Sequence, residues 1–192
     1  ATGVYVKRTA TRDPSDSGQG GIALKHTVDP WATEFGLYAT QFHSRAPFYS
    51  GTKSGRVAGP LFVPGDPGNL NPTYFIEYPE DIRMFGASFE KKWRGGVVLG
   101  ELTYRPNQPL QYNSYDVISA AVSRSAPTPL RDQADALVPG ATLRAWESHK
   151  ALQLQLGVTG ALPKVLGSAG MSYGAEFVYK RVPDLPNVSV MR

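Results

Sequence analysis

Glu101 and Glu176 are the two carboxylates of this 192-residue chain that most invite a chemical reading. Each lies inside a run that alternates apolar and polar residues, on the polar side. Adjacent strands could therefore bring the two together as a general acid and base. Nothing else in the sequence joins them. A hydrolase Gly-x-Ser-x-Gly, a phosphate-cradling Gly-x-x-x-x-Gly-Lys and a dinucleotide fingerprint are all absent. His26, His43 and His149 fall on separate predicted strands without ligand spacing, which reads as strand or interface roles and not as a metal site. With no Cys in the chain, disulfides, thiolate ligands and cysteine nucleophiles are excluded together. A polar lumen also needs charged groups, and Glu101 or Glu176 paired with Lys25, Arg105 or Lys180 would supply them. The expectation is a protein that is not an enzyme and holds no metal or cofactor.

The elements that must carry these carboxylates are strands. In the run 152–162, Leu152, Leu154, Leu156 and Val158 share one face while Gln153, Gln155, Gly157 and Thr159 share the other, the two-residue period of a β-strand. The run exceeds the usual ~5–6 residue strand and matches the ~9–11 residues a tilted strand needs to cross a bilayer. Similar alternation predicts strands over 20–28, 33–45, 81–91, 97–105 and 168–180, giving an all-β chain. In 97–105, Val98, Leu102 and Tyr104 oppose Glu101 and Thr103.

Composition narrows the setting. The hydrophobic share of 41% is ordinary, whereas 20 Gly and 16 Pro favour strands and loops over helices. The net charge of +4 is small and the cations are scattered, so nucleic acid is not an expected partner. No apolar stretch reaches the ~18 residues of a membrane helix, and no basic-then-apolar leader opens the chain. Any membrane role must then use a barrel. The chain starts at Ala1, which suggests that a signal or a larger N-terminal part precedes it.

The connections between the predicted strands alternate in length. Links at 29–32, 92–96 and 163–167 are short, and those at about 46–80 and 106–145 are long. An antiparallel up-and-down sheet with this order has its short turns at one end and its long loops at the other, as transmembrane barrels do. The first loop contains Pro64-Gly65-Asp66-Pro67-Gly68-Asn69, which is turn chemistry. The second contains 116–122, a short helix that packs on the loop itself or folds over or into a lumen. The strings 100–105 and 175–180 echo each other as return strands after short turns, an echo short enough to arise by chance. Tyr74, Phe75, Tyr78, Tyr104, Trp146, Tyr173, Phe177 and Tyr179 would form interfacial girdles at a membrane, or core in a soluble protein.

Longer strings add a resemblance. Thr33-Glu34-Phe35-Gly36-Leu37-Tyr38, Phe42-His43-Ser44-Arg45-Ala46-Pro47, Glu77-Tyr78-Pro79-Glu80-Asp81-Ile82-Arg83-Met84-Phe85-Gly86 and Gly100-Glu101-Leu102-Thr103-Tyr104-Arg105-Pro106-Asn107-Gln108-Pro109-Leu110-Gln111 follow in order. Together they resemble the domain of unknown function 1302 family, large bacterial outer-membrane proteins regarded as β-barrels. The resemblance covers about 20–111 and, more loosely, 177–186. It implies a bacterial outer-membrane location and a role linked to hydrophobic compounds such as lipids, steroids or terpenoids. It also implies a periplasmic or lipoprotein partner and a resistance-nodulation-division type transporter. No catalytic residues come with it. The Glu77 to Arg83 stretch is the family signature, expected to be a salt-bridged strand entry that fixes the long loop.

Two departures bear on extent. About six strands are fewer than the eight usually needed to close a single-chain bacterial barrel. The chain also ends Val190-Met191-Arg192, without a terminal aromatic. Residues 1–192 are therefore expected to be a single β-barrel region, a fragment of a larger barrel or a contributor to a shared one. Lys25, Glu101, Thr103, Gln153, Gln155, Thr159 and Glu176 would line the lumen. Val98, Leu102, Leu152, Leu154, Leu156, Val158, Tyr173 and Phe177 would face membrane lipid. The expected function is assisted passage of a hydrophobic or amphipathic solute, or a lipid, across the outer membrane. The alternative is a structural or interaction component of a cell-surface assembly.

Overall fold

Alternating β-branched, aromatic and aliphatic residues build the long strands, and Gly/Pro clusters interrupt them. The computed structural model describes residues 5–164, 167, 169–183 and 185. It is mostly antiparallel β-structure, with ten strands and two α-helices. These are β1 (Lys7–Arg8), β2 (Gly20–Val28), β3 (Thr33–Phe42), β4 (Phe48–Thr52), β5 (Thr73–Glu77), β6 (Ile82–Trp93) and β7 (Gly96–Gln111). Helices α1 (Ser114–Val122) and α2 (Arg131–Ala136) follow, then β8 (Thr142–Leu143), β9 (Trp146–Pro163) and β10 (Gly170–Arg181).

The long strands form one six-stranded sheet in the order β10-β9-β7-β6-β3-β2. Every neighbouring pair is antiparallel, and each strand lies beside the one that precedes it among the six. This is an up-and-down meander. No closed barrel forms among the described residues: β2 and β10 remain the two edges.

One end of the meander carries tight connections. Arg94 and Gly95 both have positive φ (47° and 77°), so β6 and β7 join through a two-residue turn of the type that matches strand twist. Between β2 and β3 a short 3-10 turn, Asp29–Trp31, closes with the Ala32 N–H donating to the Asp29 carbonyl at 2.9 Å. Val165, Leu166 and Ser168, in the expected 163–167 link and at the start of the 168–180 strand, lie outside the described residues. So do Asp184 and Pro186 of the looser family match, and Val190, Met191 and Arg192.

At the other end, the long connections build a second layer. Strands β1, β5, β4 and β8 make a four-stranded sheet in that order, in which only the β1–β5 pair is parallel. Its core is Val117, Ala120, Ala121, Leu130, Ala134, Leu143 and Ala145, with Tyr49, Tyr112 and Leu137 packed against it. Phe75 is 1% exposed, while Leu37 and Phe177 in the large sheet are 58% and 56% exposed. The buried hydrophobic core therefore sits mainly in the loops.

Several boundaries differ from those read in the sequence. Strand β7 runs to Gln111, past the expected end at Arg105, because a register shift between Arg105 and Gln108 absorbs Pro106. Proline lacks the ladder donor, and a bulge is where a strand tolerates it. Strand β9 starts at Trp146, six residues before the Leu-Gln alternation begins, through Trp-Glu-Ser-His-Lys-Ala, which carries no apolar period. Strand β3 stops at Phe42, short of Arg45. The interval 46–80 holds the β4–β5 hairpin, and 116–122 lies within α1, buried against the loop layer's own residues.

Candidate functional site

In an antiparallel ladder, partners across strands share a face. Following the register across the sheet therefore sorts its side chains. One row reads Leu24, Leu37, Ala87, Leu102, Leu154 and Tyr179. The next reads His26, Phe35, Phe89, Gly100, Leu156 and Phe177. Val98, Val158, Leu152 and Tyr173 lie on this same face. All the residues expected to face lipid thus share one apolar surface. The sequence reading omitted Ile22, Leu24, Phe35, Leu37 and Phe85 from that set, although the same alternation marks them. The described sheet's large hydrophobics with substantial exposure lie almost entirely on this surface, Val178 being an exception.

The opposite face collects Lys25, Glu101, Thr103, Gln153, Gln155, Thr159 and Glu176, the residues expected to line a lumen. Glu34, Tyr38, Ser88 and Glu90 join them. Glu101 and Glu176 do not meet. Strand β9 separates them and they are two residues out of register, about 12 Å apart by strand spacing and rise. Gln155 stands between, in register with Glu101 and donating its amide N–H to Glu176 at 2.6 Å. Of the cations expected to pair with them, Lys25, Arg105 and Lys180, the first instead bonds Glu34 at 2.9 Å, and among the described residues neither Glu101 nor Glu176 has a salt bridge. Tyr38 and Ser88 share a hydrogen bond at 3.1 Å on the same face.

Glycines on the apolar face seat aromatic rings. A Cβ at Gly100 would run into the ring of its cross-strand partner Phe89, and one at Gly160 into Tyr173. Each ring covers its glycine and restores the apolar cover that glycine leaves out. Of the aromatics expected in girdles, Tyr104, Tyr173, Phe177 and Tyr179 are on the apolar face. Tyr74 and Phe75 belong instead to the loop layer, where Phe75 is core, and Trp146 opens β9 with its indole bonded to Glu77 of that layer.

Buried polar groups lock the loop layer to the sheet. Ser50, fully buried, donates to Glu77 and accepts from the Ala145 N–H at 3.1 Å. Glu77 also receives the Trp146 indole N–H at 2.8 Å. Gln111 continues β7 sideways: its amide oxygen takes the Tyr49 N–H at 2.7 Å and its amide nitrogen donates to the Tyr49 carbonyl at 2.9 Å. The N-terminal arm is held by side chains as well as by the β1–β5 pair. Arg12 stacks 3.7 Å over Phe75. His43, buried, accepts the Asp81 N–H on Nδ1 at 3.1 Å, so Nε2 carries the proton donated to the Ser17 carbonyl at 2.7 Å.

The signature stretch works in the same way, and among the described residues it forms none of the expected salt bridges. Glu80 accepts the Ser15 N–H at 2.7 Å and Asp81 accepts the Gln41 amide at 3.0 Å. The Arg83 N–H donates to the Asn107 side chain at 2.9 Å. Carboxylates here hold neutral donors because the neighbours that the fold supplies are backbone, amide, hydroxyl and indole groups. Sequence reading could not pick these partners, which lie tens of residues away.

Two phenols of the loop layer are perturbed. Burial, and then the hydrogen bond to Glu147 at 2.6 Å and that carboxylate's charge, push Tyr112 up to about 12. Burial and the adjacent Tyr74 ring, 5.1 Å away, raise Tyr49. No group of metal-ligating side chains gathers among the described residues.

No curated protein and no solved structure matches the chain. A family model described as "Protein of unknown function (DUF1302)" matches residues 1–191. That span takes in both the two-faced sheet and the loop layer, and on it the chain belongs to the DUF1302 family.

Proposed function

We propose that this chain is part of the wall of a bacterial outer-membrane β-barrel, its apolar face against lipid and its polar face toward a lumen. Through that lumen a hydrophobic or amphipathic solute, or a lipid, would cross. The observation that carries the reading is the register itself, which gathers the apolar residues of six consecutive strands onto one exposed surface. A soluble sheet would cover such a surface with a second layer. Along β9 the apolar face runs from Leu152 to Leu162, roughly 34 Å of strand at ~3.4 Å per residue. At a tilt near 40° that is about 26 Å along the membrane normal, close to the ~25 Å apolar band of outer-membrane barrels. Closure then needs strands beyond these six, from the rest of a longer chain or from another copy. The periplasmic or lipoprotein partner and the resistance-nodulation-division type transporter remain part of this reading.

The cysteine-free sequence makes the test clean. Single cysteines placed in turn from position 152 to position 159 and spin-labelled in reconstituted membranes should alternate with a period of two. Labels at even positions should be relaxed by oxygen dissolved in lipid, and those at odd positions by a water-soluble nickel chelate. Equal access of the chelate to 154 and 155 would remove the lipid-facing assignment. A second reading, a structural or interaction component of a cell-surface assembly, is favoured by the loop layer having its own core, since a rigid surface suits partner binding. Solute flux into liposomes separates the two: a passage conducts, a scaffold does not.

A further inference from the structure

The loop layer contains a cleft of about 460 Å³ at the junction of α2, the start of β9 and the end of β7. It lies within the ~300–1,000 Å³ range of small-molecule sites. Its apolar side is Leu130, buried, together with Pro129 and the Tyr112 ring. Its rim carries Arg144, Gln133 and Glu147.

The charges at this rim are not equivalent. Glu147 accepts the Tyr112 hydroxyl at 2.6 Å and lies 3.6 Å from His149, so its carboxylate is engaged. Arg144 has no carboxylate partner among the described residues. Its guanidinium is stacked 4.6 Å over the Trp146 indole, which is itself fixed by the N–H donated to Glu77 at 2.8 Å and by an edge contact with Phe48 at 6.2 Å. A guanidinium parked on an aromatic face keeps its N–H fork free and has already lost much of its rotamer freedom. A pre-positioned, unpaired fork beside an apolar wall fits a planar carboxylate with an aliphatic or ring body. The engaged Glu147 opposes a second negative charge.

We infer that this cleft is a binding site for amphipathic monocarboxylates, with Arg144 taking the carboxylate and Leu130, Pro129 and Tyr112 the apolar body. As the capture site for the solute passed by the barrel, it rests on the proposed function. Binding itself needs only the folded chain and no open lumen.

The experiment uses the full chain in a non-ionic detergent with Trp31→Phe and Trp93→Phe, so that of its 3 tryptophans only Trp146 reports. Indole fluorescence is titrated with octanoate, octanol and octylamine. Octanoate should give a saturable change, and octanol and octylamine should bind at least roughly tenfold more weakly, the fold-change of losing a charge-assisted hydrogen bond. Arg144→Met should weaken octanoate by a similar factor with the far-ultraviolet circular dichroism unchanged. Gln133→Glu, at an exposed rim position, adds a repelling carboxylate and should weaken octanoate but not octanol. Equal binding of octanoate and octanol overturns the inference, as does an Arg144→Met protein that folds and binds normally. If Arg144→Met does not fold, unchanged octanoate affinity in Gln133→Glu overturns it. A failure here leaves the spin-label pattern, and hence the barrel reading, untouched.

Discussion

The loop layer depends on a few buried polar atoms. Ser50 joins three segments through one hydroxyl, donating to Glu77 and accepting from Ala145. Ser50→Ala would leave the Ala145 N–H unsatisfied in a buried place, a cost of about 1–3 kcal/mol. Hydrogen exchange should then rise at Ala145 and across β4, with the large sheet unaffected. Tyr112 gives a pH prediction of defined sign. Its phenol titrates near 10 when unfolded and about 12 when folded, so the folded state favours the neutral form. That contribution is complete below about pH 10 and is lost as pH climbs through about 12. Loop-layer stability, followed by tyrosinate absorbance and proteolysis, should fall over this window. In Tyr112→Phe the part of the fall due to this residue should vanish.

Among the elements, β9 carries the strongest consequence. Leu154 lies mid-strand between Leu102 and Tyr179 on the apolar face, and Gln155 beside it lies on the polar face. Leu154→Arg should cost about 2–4 kcal/mol if the position is near the bilayer midplane, whereas Gln155→Arg should be close to neutral. Denaturant titration of protein folded into lipid vesicles reads both. Similar costs for the two would mean that the faces are not solvated differently. The β7 extension matters in another way. Its bulge carries the strand past Pro106 to Gln111, whose amide pairs with the Tyr49 backbone. One side chain thereby couples the large sheet to the loop layer.

For the molecule as a whole, the open edges decide the next question. Among the described residues the outer edges of β2 and β10 have no neighbouring strand, and open sheet edges are not tolerated in hydrocarbon. If these edges are closed in the membrane, unheated protein in detergent should migrate on a gel as a compact form that boiling converts to a slower one. Unchanged mobility on boiling would count against closure.

Much of the large sheet was legible from residue types alone, because a period of two forces every second side chain to the same face whatever lies above it. Leu152 to Val158 announced one face, and Gln153 to Thr159 the other. The loop layer was not legible. The segment 46–80 reads as turns around Pro64 to Asn69, yet β4 and β5 pair within it, and Glu77 finds Ser50 and Trp146, residues 27 and 69 positions away. Trp146 to Lys150 has no apolar rhythm and becomes strand only because β7 offers it a ladder. Arg144 gave no local signal either, since its stacking needs an indole held in place from β5. By itself the sequence determined most of the large sheet's strands, their two faces and the alternation of short and long connections, all set by neighbours close along the chain. Tertiary structure alone decided that the long connections share a core, that Glu101 and Glu176 stand apart across β9, and that the Arg144 guanidinium, stacked on Trp146, borders a cleft. Those depend on contacts between distant segments, for which local periodicity holds no record.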